Sequence, residues 1–316
     1  MEYRELGQTG EKVSAVGLGT WQFSESWGLT NYEVAKQIIA NALELGINLV
    51  DTAIVYGNGM SEDFVGRAIK ELGAREQVFI ATKIPGQYLS VDDVLRATRA
   101  SLRRLRVDAI DLMQVHWPPC WHNFPTCEYM RALERLVRMG LIRYIGLSDF
   151  PVELAEAANA CLAREQVVSL QVRYNLVERA AEKEMLPFVE EYGMSLLAWS
   201  PIAQGALTGK YTPENLPKFE DVRAGNPLFH PSNFTQIWPL VQKLKEIGQK
   251  YGKTPAQVAL NWLLTTSDAV IVIPGAKRPE HVVDNAGAAG WRLSYDDWLE
   301  LDQLSKSIRI RYYVEE

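Results

Sequence analysis

The sequence predicts an α/β fold, a closed (β/α)8 TIM barrel with an N-terminal β-hairpin and extra C-terminal helices. Three observations predict it. Eight short apolar runs occur in order, each followed by a longer segment with helical spacing. The runs show little polar alternation, as strands covered on both faces should. The 316 residues, 47% of them hydrophobic, suit one large barrel, so residues 1–316 are expected to form a single domain. An open doubly wound sheet is the competing arrangement. It calls for a glycine-rich dinucleotide turn, and "GLGTWQ" at 17–22 places Gln22 where the third glycine would stand.

Residues 3–13, around "GQTGE", read as a small hairpin covering one end of the barrel. The apolar runs lie at Ala15–Leu18, Ile47–Val50, Val78–Ala81, Ala109–Val115, Tyr144–Leu147, Val168–Val172, Ser195–Trp199 and Val270–Ile273. Helices are predicted over Tyr32–Leu45, Ser61–Leu72, Val91–Leu105, Thr126–Met139, Val152–Leu162 and Ala181–Tyr192, and over one stretch from Phe234 to Leu264. Two more should start near Pro279 and Tyr295. Ser90 before "VDDVLRA" reads as an N-cap with acids in the first turn, and Ser61 before Glu62 and Asp63 reads the same way. Gly46, Gly73, Gly140 and Gly193 stand where left-handed C-caps are cheap. Pro187 requires its helix to begin late or to kink.

The formal net charge of −6 argues against nucleic acid or an anionic membrane surface as a partner. No apolar run approaches the ~18 residues of a membrane span, and the N-terminus is polar. Cys120, Cys127 and Cys161 are odd in number and lack repeated spacing. They predict neither a disulfide framework nor a metal site, and a reducing, cytoplasmic setting.

In such barrels, chemistry sits on the loops at the C-terminal ends of the strands. The polar and aromatic residues at those ends are, run by run, Gly19, Thr20 and Trp21; Asp51 and Tyr56; Lys83; His116; Ser148 and Asp149; Gln171 and Asn175; Trp199 and Ser200; and Gly275, Lys277 and Arg278. Consecutive strands therefore deliver Asp, Tyr, Lys and His into one mouth. Taken singly, each has an ordinary reading as a turn cap, a solvated cation or loop polarity. Together they form a machine for carbonyl chemistry. A phenol ordinarily titrates near 10, and a cation against its hydroxyl lowers that value. Lys83 can be that cation, with Asp51 keeping it charged and in place. His116 could then hydrogen-bond a carbonyl oxygen beside Tyr56.

These stretches resemble a known family. "GINLVDTAIVYGNGMSEDFVGRAI", "VFIATK", "DLMQVHW", "IRYIGLSDF", "QVRYN", "LLAWSPIAQGALTGKY" and "VIVIPGAKRPEHVVDN" look like the successive motifs of the aldo-keto reductases. The similarity is greatest to the bacterial and plant branch that also includes potassium-channel β subunits. The resemblance implies a barrel that binds NADP(H) without a Rossmann motif and reduces aldehydes or ketones, with Asp51, Tyr56, Lys83 and His116 as the catalytic tetrad and Tyr56 as proton donor. It implies Gly19, Thr20, Trp21 and Asp51 near the nicotinamide, Ser148, Asp149 and Gln171 around its carboxamide, and Trp199 stacked on its ring. Ser200, Pro201, Ile202, Gln204, Gly205, Leu207 and Lys210 would line the path of the pyrophosphate. Gly275, Lys277, Arg278, His281, Asp284 and Asn285 would hold the adenosine end, the two cations favouring a 2′-phosphate.

Two residues depart from the family's common pattern. Asp149 stands where Asn is common, and an ionised carboxylate accepts but cannot donate. Trp199 stands where Tyr is common. On the substrate side, aromatic residues crowd the expected mouth: Trp21, Phe23, Trp27, Tyr88, Trp117, Trp121 and Phe124. Trp21, Tyr56 and Trp117 are the best candidates for the substrate pocket, and the loop at 211–232 reads as a cover. The alternative reading is an NADP(H)-holding regulatory or sensor subunit with little turnover. A Schiff-base aldolase would need Lys83 with a depressed pKa, and Asp51 pushes the other way. Oligomeric state is not legible in the chain.

Overall fold

A computed structural model of the protein describes residues 1–120 and 122–312. Trp121, one of the aromatics expected at the mouth, lies outside the described residues. A short antiparallel hairpin, β1 (Tyr3–Glu5) and β2 (Lys12–Ser14), comes first. Eight parallel strands then succeed one another in chain order: β3 (Leu18–Gly19), β4 (Leu49–Asp51), β5 (Phe79–Ile84), β6 (Ile110–Val115), β7 (Ile142–Ser148), β8 (Val167–Arg173), β9 (Ser195–Trp199) and β10 (Val270–Val272). Parallel bridges Val16–Val272 and Gly19–Gly275 join the first strand's segment to the last and close the sheet. The Gly17 N–H donates to the Val272 carbonyl at 2.8 Å, and the Val272 N–H to that of Ala15 at 3.0 Å.

Leu49, Phe79, Leu112, Val168, Leu197 and Ile271 form one cluster with Leu6 and Val13 of the hairpin segment. Leu49 and Phe79 begin their strands and Val168 and Ile271 come second in theirs, so the hairpin plugs the N-terminal end of the barrel, as expected. Arg4 reinforces the plug by donating to the carbonyls of Leu264, Ser267 and Val270. The opposite end is left for polar groups.

The outer layer consists of α1 (Tyr32–Glu44), α2 (Met60–Leu72), α3 (Val91–Leu105), α4 (Thr126–Arg138), α5 (Val152–Ala160), α6 (Met185–Glu191), α7 (Pro231–Tyr251), α8 (Pro255–Thr266), α9 (Pro279–Ala286) and α10 (Tyr295–Ser307). In α3 the buried positions Val94, Thr98, Ser101 and Leu105 recur at helical spacing. The Ser90 hydroxyl accepts the Asp93 N–H at 3.1 Å, as its N-cap reading requires. The four expected helix-ending glycines all have positive φ.

Two local expectations are corrected, and the late helix start that Pro187 called for is found. Ser61 is not a cap: α2 starts at Met60 after Gly59, and the buried Ser61 hydroxyl donates to the Thr20 carbonyl at 2.9 Å. The stretch from Phe234 to Leu264 is two helices, parted at Gly252 (φ 65°) and restarted by a capping box between Thr254 and Gln257. The Ala181–Tyr192 segment opens with a 3-10 turn at Ala180–Glu182. Its α-helix begins at Met185, so Pro187 falls in the first turn, where its missing N–H has no intrahelical partner to lose.

The cysteines also overturn an expectation. Cys127, in the first turn of α4, is disulfide-bonded to Cys161, just beyond α5, with Cα atoms 4.9 Å apart. Helix packing makes the pair, which sequence spacing could not reveal. The cysteines therefore no longer support a reducing compartment. Among the described residues no helix is long and apolar enough to cross a membrane, and no His, Cys, Asp and Glu group could hold a metal ion.

Candidate active site

At the C-terminal end of the barrel, β4 finishes with Asp51, β5 carries Lys83 and β6 leads into His116. The register sets Asp51 beside Ala81 and Lys83 beside Gln114. Tyr56 lies in the turn after β4, where Gly57 and Asn58 both take left-handed conformations. Lys83 is fully buried, and its ammonium has three oxygen partners for its three protons. They are Asp51 Oδ1 at 2.5 Å, the Thr52 carbonyl at 2.8 Å and Tyr56 Oη at 3.2 Å. Because Lys83 donates to Oη, the phenolic proton remains free for another acceptor.

Burial works against the charge on Lys83, but Asp51 and Tyr56 outweigh it, and the ammonium is held above its ordinary pKa. That environment is unsuited to a Schiff-base lysine. For Tyr56 the balance differs from the sequence expectation. Burial raises the phenol, Lys83 pulls it down, and the net direction is upward. The cation is legible in the sequence, whereas the desolvation that outweighs it is not. Tyr56 is thus a neutral phenol at pH 7. Burial and Lys83 together drive His116 well below the usual imidazole value, so it too is neutral, with Nδ1 buried and unpartnered. Its ring meets the Tyr56 ring edge-on at 5.7 Å.

Behind this group lies a buried amide pair. Gln171 and Gln114 donate to Asp51 Oδ2 at 2.9 and 3.2 Å, and Gln171 also donates to Gln114 Oε1 at 3.1 Å. Gln171 therefore supports Asp51 directly. Reading only the strand ends misses Gln114, although a glutamine inside the fully buried strand "IDLMQV" is an available signal.

A cavity of about 710 Å³ opens over these residues, within the range of small-molecule sites. All the expected catalytic, cofactor and substrate-pocket residues line it except Lys83, which lies beneath Tyr56, and Leu207, which is fully buried in the core. Trp21 stacks against Tyr56 at 6.2 Å, and Trp27 meets Trp21 edge-on at 5.4 Å. Trp27, Gln22, Val55, Thr208, Tyr211, Arg223, Ala256 and Ile273 complete the lining. Of the other mouth aromatics, Phe23 belongs to the core, Phe124 packs on the core and Tyr88 is half exposed away from the cavity. Asn175 is also structural, donating to the Ser200 carbonyl at 3.1 Å.

Away from the tetrad, the cavity runs along features suited to an extended anion. Ser200, Ala203, Gln204 and Gly205 all have positive φ, and within this tight turn the Ala203 and Gly205 N–H groups donate to the Ser200 and Ile202 carbonyls. The α9 N-terminus, capped by Arg278, also lines it, and helix N-termini favour anions. A Cβ on Gly275 would lie 1.9 Å from Gln22 Oε1, a buried acceptor without a partner, so any side chain there would have to displace the Gln22 amide. The segment at 211–232 lines the cavity through Tyr211 and Arg223. Its Asp221 accepts from Arg223 and from Lys277, the latter at 2.9 Å, and these cations hold its carboxyl far below the usual range despite partial burial. Lys277 and Arg223 also flank the Trp27 ring, at 4.8 and 5.4 Å.

The chain is similar to known proteins along nearly its whole length. The aldo-keto reductase YhdN of Bacillus subtilis is 34% identical over 96% of this chain and 93% of its own length. The structure of the glycerol dehydrogenase AKR11B4 from Gluconobacter oxydans superposes with a TM-score of 0.88 at 30% identity, covering 97% of this chain and 95% of that one. An aldo-keto reductase from Klebsiella pneumoniae, crystallised in complex with NADPH, gives a TM-score of 0.78 at 28% identity over 96% of both chains. The Aldo/keto reductase family profile matches residues 15–306, and this chain belongs to that family.

Proposed function

We propose that the protein is an NADP(H)-dependent reductase of aldehydes or ketones. The observation that carries this is the triangle at Lys83 Nζ, which holds Asp51 Oδ1 and Tyr56 Oη together under an aromatic cavity. When bound, a reduced nicotinamide supplies the hydride that adds to the carbonyl carbon. Tyr56 donates its phenolic proton to the carbonyl oxygen. The phenolate left behind faces the Lys83 ammonium, whose charge Asp51 maintains. Neutral His116 orients the carbonyl by hydrogen bonding from the far side of Tyr56.

The residues around the cavity fit a dinucleotide. The turn at Ser200–Gly205 and the α9 N-terminus would take the phosphates, with the 211–232 segment lying across them. Trp21, Tyr56 and Trp117 would shape an apolar substrate pocket suited to small carbonyl compounds.

The test is NADPH oxidation with a reactive aldehyde such as 4-nitrobenzaldehyde. Wild type should turn over, and Tyr56→Phe should lose about 10²–10⁴-fold in kcat while NADPH affinity stays within about threefold. Binding without turnover in the wild type would refute the reductase reading and favour a sensor. Equal loss of binding and turnover in the variant would make Tyr56 structural.

A further inference from the structure

The two departures from the family's common pattern, Asp149 and Trp199, touch each other. Trp199 ends β9, Arg173 ends β8 directly beside it in register, and Asp149 comes straight after the neighbouring β7. The Trp199 indole Nε1–H donates to Asp149 Oδ1 at 3.0 Å. The Arg173 guanidinium carbon lies 4.3 Å from the Trp199 ring centroid, so one face of the indole is already occupied. Both Asp149 and Trp199 line the cavity.

Asp149 is itself held in place. Its backbone N–H donates to the Gln171 carbonyl at 2.8 Å, and its φ of 52° is a left-handed conformation that Asp tolerates better than most residues. An indole attached by two rotatable bonds is therefore held at its nitrogen by an exposed carboxylate on a constrained backbone and covered on one face by a guanidinium. Only its other face is left for a planar ring.

We infer that Asp149 is a positioning residue that sets the nicotinamide plane indirectly, by fixing the rotation of Trp199. This rests on the dinucleotide reading proposed above. The carboxylate that cannot donate to a carboxamide is used on the indole, and Ser148 and Gln171 are left to read the carboxamide. A preset stacking plane contributes chiefly to hydride-transfer geometry, because most dinucleotide contacts lie elsewhere along the cavity.

Three measurements test this, the first without nucleotide. The Trp199 indole N–H resonance, assigned by its loss in Trp199→Phe, should be protected from solvent exchange in wild type and in Asp149→Asn, and exposed in Asp149→Ala. Equal exchange in wild type and Asp149→Ala would overturn the contact, whatever the protein binds. Second, Asp149→Ala should lower kcat about tenfold or more with NADPH affinity within about threefold, and Asp149→Asn, which keeps an acceptor oxygen, should restore most of it. Third, the double variant Asp149→Ala/Trp199→Phe should be no worse than either single variant, because both remove one bond. Additive losses, or no rescue by Asn, would overturn the indirect role. Should the wild type bind NADPH without turnover, the positioning role in hydride transfer is refuted together with the reductase reading. Should it bind no NADPH, the positioning role falls together with the proposed function, while the exchange result still reports the bond.

Discussion

Asp221 accepts from the Lys277 ammonium at 2.9 Å, joining the 211–232 segment at the cavity to the loop after the last barrel strand. Lys277 thus has a carboxylate partner. Arg278 has none among the described residues, and its guanidinium contacts His281 Nε2 at 3.1 Å on the cavity rim. The two cations look alike in the sequence and differ in the fold. Arg278→Ala should weaken NADPH about 10–100-fold and NADH by less than about threefold, as expected for losing a charge-assisted bond to a 2′-phosphate. Lys277→Ala should weaken both nucleotides by similar factors, because it loosens the 211–232 segment. Fluorescence titration with each nucleotide checks this, and an unchanged NADPH to NADH ratio in Arg278→Ala would refute the assignment.

The Asp51–Lys83 pair is the most buried charge pair of the site, with both side chains at 3% exposure or less. Removing one member leaves the other charge without compensation, whereas removing both does not. Lys83→Met should therefore destabilise the fold by about 3–5 kcal/mol. Asp51→Asn/Lys83→Met should recover much of that loss, since Gln114 and Gln171 can still donate to the amide oxygen that replaces the carboxylate. Activity should stay absent in both. Denaturant unfolding would sink this account if the double variant were less stable than Lys83→Met.

The fold is largely legible because barrel strands covered on both faces leave continuous apolar runs, and β9 forms over the expected residues, Ser195–Trp199. The first apolar run spans Ala15–Leu18, yet the strand there is only Leu18–Gly19, because closure is made by isolated bridges. The grouping of Asp51, Tyr56, Lys83 and His116 is legible because they lie at or just past the C-terminal ends of consecutive strands. The features that resist reading depend on depth and on packing between distant segments. A lysine beside Tyr56 points to an acidified phenol, but the burial that reverses this is a property of the folded mouth. Gln114 meets Asp51 across 63 residues, and Cys127 meets Cys161 across two helices. The break at Gly252 does have a signal in "YGKTPAQ", where a glycine precedes a Thr-Pro helix start, and the helical spacing on either side masks it.

The Cys127–Cys161 bond closes a 34-residue separation. Restricting an unfolded loop of that length contributes about 3–4 kcal/mol in the chain-entropy account. Cys127→Ser/Cys161→Ser should lose stability up to that amount in non-reducing buffer, and reductant should bring the wild type down to the same level. Cys120 is exposed and unbonded, so Cys120→Ser should change neither curve. If reductant leaves wild-type unfolding unchanged, these cysteines are not a bond in solution.

The perturbed groups at the mouth fix the direction of the pH dependence. Tyr56 is raised, so it carries its proton below its elevated pKa and loses it only above the ordinary phenol range near 10. In the proposed reaction carbonyl reduction uses that proton, so kcat should stay flat from pH 7 to 9 and fall only at higher pH. Alcohol oxidation needs the phenolate and should rise with pH instead. His116 is depressed, so no inflection should arise near 6.5. Its effect on stability has a definite sign. Below about pH 6.5 the unfolded chain takes up a proton on this histidine that the folded chain refuses, so stability falls as pH drops through that value until the folded pKa is reached. His116→Asn should remove this part of the loss, and its Tm should fall less than the wild type's between pH 7 and 5. A Tm profile unchanged by the substitution, or a histidine inflection in kcat near 6.5, would mean that His116 is not held neutral by burial.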